Sequence, residues 1–62
     1  MIIKTSQYRV ERQFNGQWHK QGIYKTEREY DAMLEYVVDY ELSDDVIKGL
    51  IGSDKIKVSL VN

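Results

Sequence analysis

Between residues 4 and 14 the run KTSQYRVERQF sets Tyr8, Val10 and Phe14 on one parity and Gln7, Arg9, Glu11 and Gln13 on the other. That is the period of two of a strand with one buried face. Arg12 interrupts the apolar parity. Asn15 and Gly16 follow directly, and because both residues tolerate positive φ they predict a tight hairpin, with residues 17–25 returning as a second strand. Two registers are open. A two-residue turn places Tyr8, Val10 and Arg12 on one side with His19, Gln21 and Ile23, and puts Trp18 and Tyr24 on the other; a three-residue loop ending at Gln17 brings Trp18 and Tyr24 to the side of Tyr8, Val10 and Phe14. Gly22 is a candidate bulge at which the strand changes face midway.

Past the hairpin the period lengthens. Thr26 followed by Glu29 has the capping-box form, so a helix is expected from Thr26 to about Tyr40 or Glu41. Tyr30, Met33, Leu34 and Val37 form its central stripe, flanked by Val38 on one side and by Tyr36 and Tyr40 on the other, an apolar arc of roughly 200° where about half would cover a small sheet. Part of that arc is expected to meet another partner. Ser43 as N-cap, Asp44 and Asp45 in the first turn, and Val46, Ile47, Leu50 and Ile51 beyond them predict a shorter helix that stops at Gly52. Residues 55–61 close the chain as a third strand, with Ile56, Val58 and Leu60 inward and Lys55, Lys57 and Ser59 outward. The expected architecture is an α+β fold of order β-β-α-α-β, a three-stranded antiparallel sheet with one long and one short helix on one face. Tyr8, Val10, the central helix stripe, Val46, Ile47, Leu50 and the inward residues of the third strand are its expected core.

Composition narrows the function. Sixty-two residues, 42% hydrophobic and without proline, read as a single domain over residues 1–62. A chain of this size buries only about 60% of the surface its unfolded form exposes, so oligomerisation is a natural supplement to the core. Cysteine is absent and histidine occurs once, at His19, so neither an acyl-transfer triad, a Cys-His pair nor a thiolate zinc site can be assembled. Gly49-Leu50-Ile51-Gly52 lacks the spacing and the lysine of a phosphate loop. No enzyme, metal or cofactor is expected, and His19 reads as an exposed strand residue. The apolar start Met1-Ile2-Ile3 ends at Lys4, far short of a signal sequence or of the roughly 20 apolar residues of a membrane span. A soluble, cytoplasmic protein without membrane contact is expected.

The net charge of −1 conceals a segregation. Residues 1–25 hold five cations against Glu11, residues 26–54 hold Arg28 and Lys48 against nine acids, and residues 55–62 add Lys55 and Lys57. Within the long helix Glu27, Asp31, Glu35 and Asp39 recur every fourth residue, a like-charge row that destabilises it by on the order of 1 kcal/mol. A solvated face usually mixes lysine into such a row. The row therefore reads as a surface aimed at a basic partner, extended by Glu41, Asp44 and Asp45, with Tyr36 and Tyr40 as flanking contacts. A solubilising face, and tyrosines that cap the core edge, are the plainer alternatives. The basic hairpin suggests the opposite task, since Arg9, Arg12, Trp18 and Lys20 on a two-stranded ribbon suit a DNA groove. An acidic helical half close behind the ribbon repels the same backbone within a Debye length of about 8 Å, which favours protein over nucleic acid as partner.

Residues 8–37, from Tyr8-Arg9-Val10 through Gly16-Gln17-Trp18 to Tyr24-Lys25-Thr26 ahead of the helix, resemble the strand-hairpin-helix module of arm-type (AP2-like) DNA-binding domains at the N-termini of tyrosine integrases. That resemblance covers about half the chain and implies DNA contact through the hairpin. In size, absence of cysteine, tyrosine content and acidic helical half, the chain is also similar in type to small phage proteins that inhibit host enzymes, among them anti-CRISPR and other anti-defence proteins and DNA mimics. Such a resemblance implies a non-enzymatic inhibitor in the host cytoplasm. Its acidic helical face, carried by Asp31, Glu35, Asp39, Tyr36, Tyr40, Asp44 and Asp45, would dock on a basic surface of a host nucleic-acid-handling or immune protein. The wide apolar arc and the short chain also favour a homodimer, through the Tyr36/Tyr40 flank or the edge of the last strand.

Overall fold

In the computed structural model, residues 4–61 are described, and the apolar start of the chain, Met1 to Ile3, lies outside the described residues. The elements are β1 (Ser6–Phe14), β2 (Gln17–Thr26), α1 (Glu29–Asp39), α2 (Asp44–Gly52) and β3 (Ile56–Val61). Their strands form one antiparallel sheet in the order β2-β1-β3, so the fold is α+β with the β-β-α-α-β order that the hydrophobic pattern predicts. β1 is central because its apolar parity has a partner on each side: Val10, fully buried, lies opposite Gly22 on β2 and Val58 on β3.

Asn15 and Gly16 turn the hairpin with φ of 51° and 78°, and Phe14 faces Gln17. The two-residue turn is the one adopted, yet its register does not persist. Glu11 pairs with Lys20 but Val10 pairs with Gly22, which leaves Gln21 as the extra residue of a bulge. Trp18 accordingly stays on the face opposite Val10, while Tyr24 returns to the Val10 face opposite Tyr8. Both candidate registers are thus realised, one on each side of the bulge. Helix α1 holds it in place: the Tyr40 hydroxyl donates to the Gln21 carbonyl (2.9 Å) and the Tyr36 hydroxyl donates to Gln21 Oε1 (3.1 Å).

The start of α1 differs from the capping-box expectation. Thr26 belongs to β2, paired with Ser6, and is buried; its hydroxyl donates to the Arg28 carbonyl (2.7 Å) instead of accepting from Glu29, and the helix begins at Glu29 with Arg28 at the N-cap and no side-chain cap. Strand pairing holds Thr26 extended and takes it out of the helix. The rotation of α1 also differs. Ala32 and Tyr36 are fully buried against Val10, whereas Tyr30 and Leu34, expected in the core, are exposed. A small residue at Ala32 lets the helix approach the sheet, and the long reach of Tyr36 then satisfies its hydroxyl on Gln21. Val46 and Leu60 are likewise exposed, although Leu50, Ile56 and Val58 join or pack against the buried set as expected.

Both helices end on a hydrogen-bonded left-handed turn. Glu41 (φ 52°) donates its N–H to the Val38 carbonyl and Leu42 to Val37; Asp54 (φ 54°) donates to Ile51 and Lys55 to Leu50. This is the Schellman pattern, in which glycine is favoured at the left-handed position because any Cβ is strained there. Helix α2 stops at Gly52 as expected, while the left-handed position falls two residues on, at Asp54. Replacing Glu41 by glycine is expected to raise stability by about 0.5–1 kcal/mol, the released strain exceeding the added freedom of the unfolded chain. Urea titration followed by circular dichroism measures it, and an unchanged or lower midpoint would refute it. At the start of α2, Ser43 is the N-cap, its Oγ accepting from the Val46 N–H at 3.4 Å.

Candidate functional site

Because α1 seats Ala32 and Tyr36 on the sheet, its opposite side carries Tyr30, Leu34 and Val38, which are 59%, 42% and 75% exposed. These three residues are four apart and make one outward stripe. Each is followed by an acid, Asp31, Glu35 or Asp39, so the acidic row runs beside the apolar one along the whole helix. The apolar–acid doublets at four-residue spacing are readable in the sequence, and they mark this surface better than the total width of the arc.

Not every acid in the row is free. Asp31 accepts two hydrogen bonds from the Arg28 guanidinium, both 3.1 Å. Asp39 accepts from the Tyr24 hydroxyl at 3.0 Å. Burial, reinforced by that hydrogen bond and by the Asp39 charge, pushes the Tyr24 phenol up to about 12. Neutral across the physiological range, it keeps α1 tied to β2. Glu27 and Glu35 form no salt bridge among the described residues. Between the helix and β2 lies a groove of about 430 Å³ lined by Tyr24, Leu34, Glu35, Val38 and Asp39. Its apolar walls and two carboxylates suit the alkyl stem and charged head of lysine or arginine.

The remaining expected contact residues fall elsewhere. Tyr36 has no exposed surface at all and cannot touch a partner; this corrects its placement on the acidic face, and the cause is the Ala32–Tyr36 seating. Tyr40 is half exposed, but its hydroxyl is committed to Gln21 and its ring packs on Tyr36 at 4.7 Å between centroids. Asp44 and Asp45 stand exposed in the first turn of α2, where they also complement the helix dipole.

On the sheet the proposed ribbon residues divide. Arg9, Trp18 and Lys20 share the face away from α1, whereas Arg12 shares the Val10 face, its guanidinium 4.9 Å from the Phe14 ring centroid and its Nε buried without a partner. A single groove-reading set of all four does not form, since an even number of residues separates Arg12 from Arg9 along the strand. Among the described residues no helix is long and apolar enough to cross a membrane, and no group of three or more acidic, histidine or cysteine side chains is placed to hold a metal. Comparison with protein-family models, curated proteins and solved structures finds no match to this chain.

Proposed function

We propose that this chain is a non-enzymatic protein-binding domain that docks the outer face of α1 on a basic protein surface, in the manner of a phage inhibitor of a host nucleic-acid-handling or immune protein. The observation that carries the reading is the exposed stripe of Tyr30, Leu34 and Val38 with a parallel row of acids on one flank. An apolar seam rimmed by one sign of charge is the anatomy of an interface with a partner of the opposite sign. The acids recur about every 6 Å along the helix, and a basic groove built for a nucleic-acid backbone meets regular negative charge there.

A second copy fits less well. Two-fold pairing of antiparallel α1 helices keeps each acidic flank on the same side of the seam, so Asp31, Glu35 and Asp39 of one copy would face the acids of the other. Like charges at an interface oppose association. Two double variants test the proposal in capture from host-cell lysate: Glu27→Lys with Glu35→Lys, and Leu34→Ser with Val38→Ser. The native domain is expected to capture a nucleic-acid-binding or immune protein that added DNA displaces, and both variants to lose it with unchanged circular dichroism. Equal capture by both variants removes the helix face from function, and elution at twice the monomer mass with no captured protein would replace the proposal by self-association.

A further inference from the structure

Among the described residues no helix packs on the sheet face away from α1, and its charge is unlike that of the rest of the molecule. Arg9, Lys20, Lys25 and Lys57 project there against Glu11 as the one acid, by their pairing positions on the three strands. Glu11 is already engaged by Arg9 at 3.5 Å. In a chain of net charge −1, such a face is a segregated cationic surface and not an average one. The acids of α1 lie across the sheet, on the order of 10 Å away, about one Debye length at physiological ionic strength. An anion on the open face therefore meets the cations first.

Trp18 lies at the hairpin end of this face, two residues from Lys20 and 36% exposed, with the Lys57 ammonium 4.5 Å from its ring centroid. We infer that the open face of the sheet binds single-stranded nucleic acid, one unpaired base stacking on the Trp18 ring beside Lys57 and the strand running on along the sheet so that three of its phosphates meet Lys57, Lys20 and, about 20 Å away, Lys25. An unpaired base offers a π-face to the indole, whereas a duplex keeps its base faces inside its own stack. Separation of Arg12 onto the other face also removes a cation that a groove-entering ribbon would use. The inference stands on the sheet alone and is independent of the partner proposed for α1.

Because Trp18 is the only tryptophan, its fluorescence reports on the site directly. Titration with a dodecameric oligo-dT at low salt is expected to quench it. With three phosphates neutralised, raising salt from about 50 to about 200 mM weakens the binding by roughly 20-fold. Lys20→Glu with Lys25→Glu is expected to weaken it more than about tenfold with the fold retained. Trp18→Ala, followed through a fluorescent label on the oligonucleotide, is expected to weaken it by about tenfold. Glu27→Lys with Glu35→Lys leaves the Trp18 quenching in place, which separates this surface from that of α1. Absence of quenching at low salt, undiminished binding by the charge-reversed sheet variant, or duplex bound as tightly as the single strand would each overturn the inference.

Discussion

Replacing Tyr36 by alanine is expected to unfold the domain. The ring is fully buried between α1 and the sheet, in a core whose other fully buried members are Val10 and Ala32. Removing a buried aromatic costs about 3–5 kcal/mol, and a domain of this length has roughly 3–9 kcal/mol in all. Tyr36→Phe separates packing from the hydroxyl. It keeps the ring but leaves Gln21 Oε1 without its donor, and a loss of about 1 kcal/mol is expected. Circular dichroism in a urea series reads both variants. A folded Tyr36→Ala protein with native stability would show that the core lies elsewhere.

Gly22→Val should produce the next largest loss. A Cβ built at Gly22 lies 3.2 Å from the Tyr24 ring and hydroxyl, so that ring must give by a few tenths of an ångström, and the γ-methyls of valine press on it further. The Tyr24 hydroxyl is the atom that donates to Asp39 and joins β2 to α1, so the shift strains that hydrogen bond. Overpacking of this kind costs about 1–3 kcal/mol, more than the β-propensity of valine returns at this site. Thermal denaturation of Gly22→Val beside Tyr24→Phe separates the two contributions, since the phenylalanine variant loses only the hydroxyl. A melting temperature equal to that of the native domain would mean that Tyr24 can yield at no expense.

How far the sequence specifies this structure depends on whether the deciding contact is local. The alternation around Val10 and the positive-φ pair Asn15 and Gly16 lie within one short segment, and so the hairpin and its turn are legible. The bulge is legible as a candidate at Gly22, but the extra residue is Gln21, and what holds it lies far along the chain, in the hydroxyls of Tyr36 and Tyr40. Thr26 illustrates the same competition: its local pattern favours a helix cap, and pairing with Ser6 overrides it. The rotation of α1 was hidden for a different reason. An arc of roughly 200° contains two apolar faces, and hydrophobicity alone ranks Leu34 above Ala32. Close approach to the sheet requires the small residue, so Ala32 goes inward and Leu34 goes out. The acidic row and the apolar residue before each acid are legible as a pattern, and the rotation of α1 decides that Tyr30, Leu34 and Val38 stand exposed beside it.

Helix α2 has a consequence of its own. Its nine residues include Gly49 and Gly52, and Leu50 is its one buried residue. Gly49, inside the helix, weakens it by roughly 0.5–1 kcal/mol relative to alanine, and a single anchoring side chain supplies little to oppose that. The segment is therefore the part of the fold with the fewest buried contacts to hold it closed, where local opening that leaves the sheet paired is expected to cost least. Seen this way, the chain is a hairpin-and-helix body joined to β3 by a connector that is helical yet anchored at one point, Leu50.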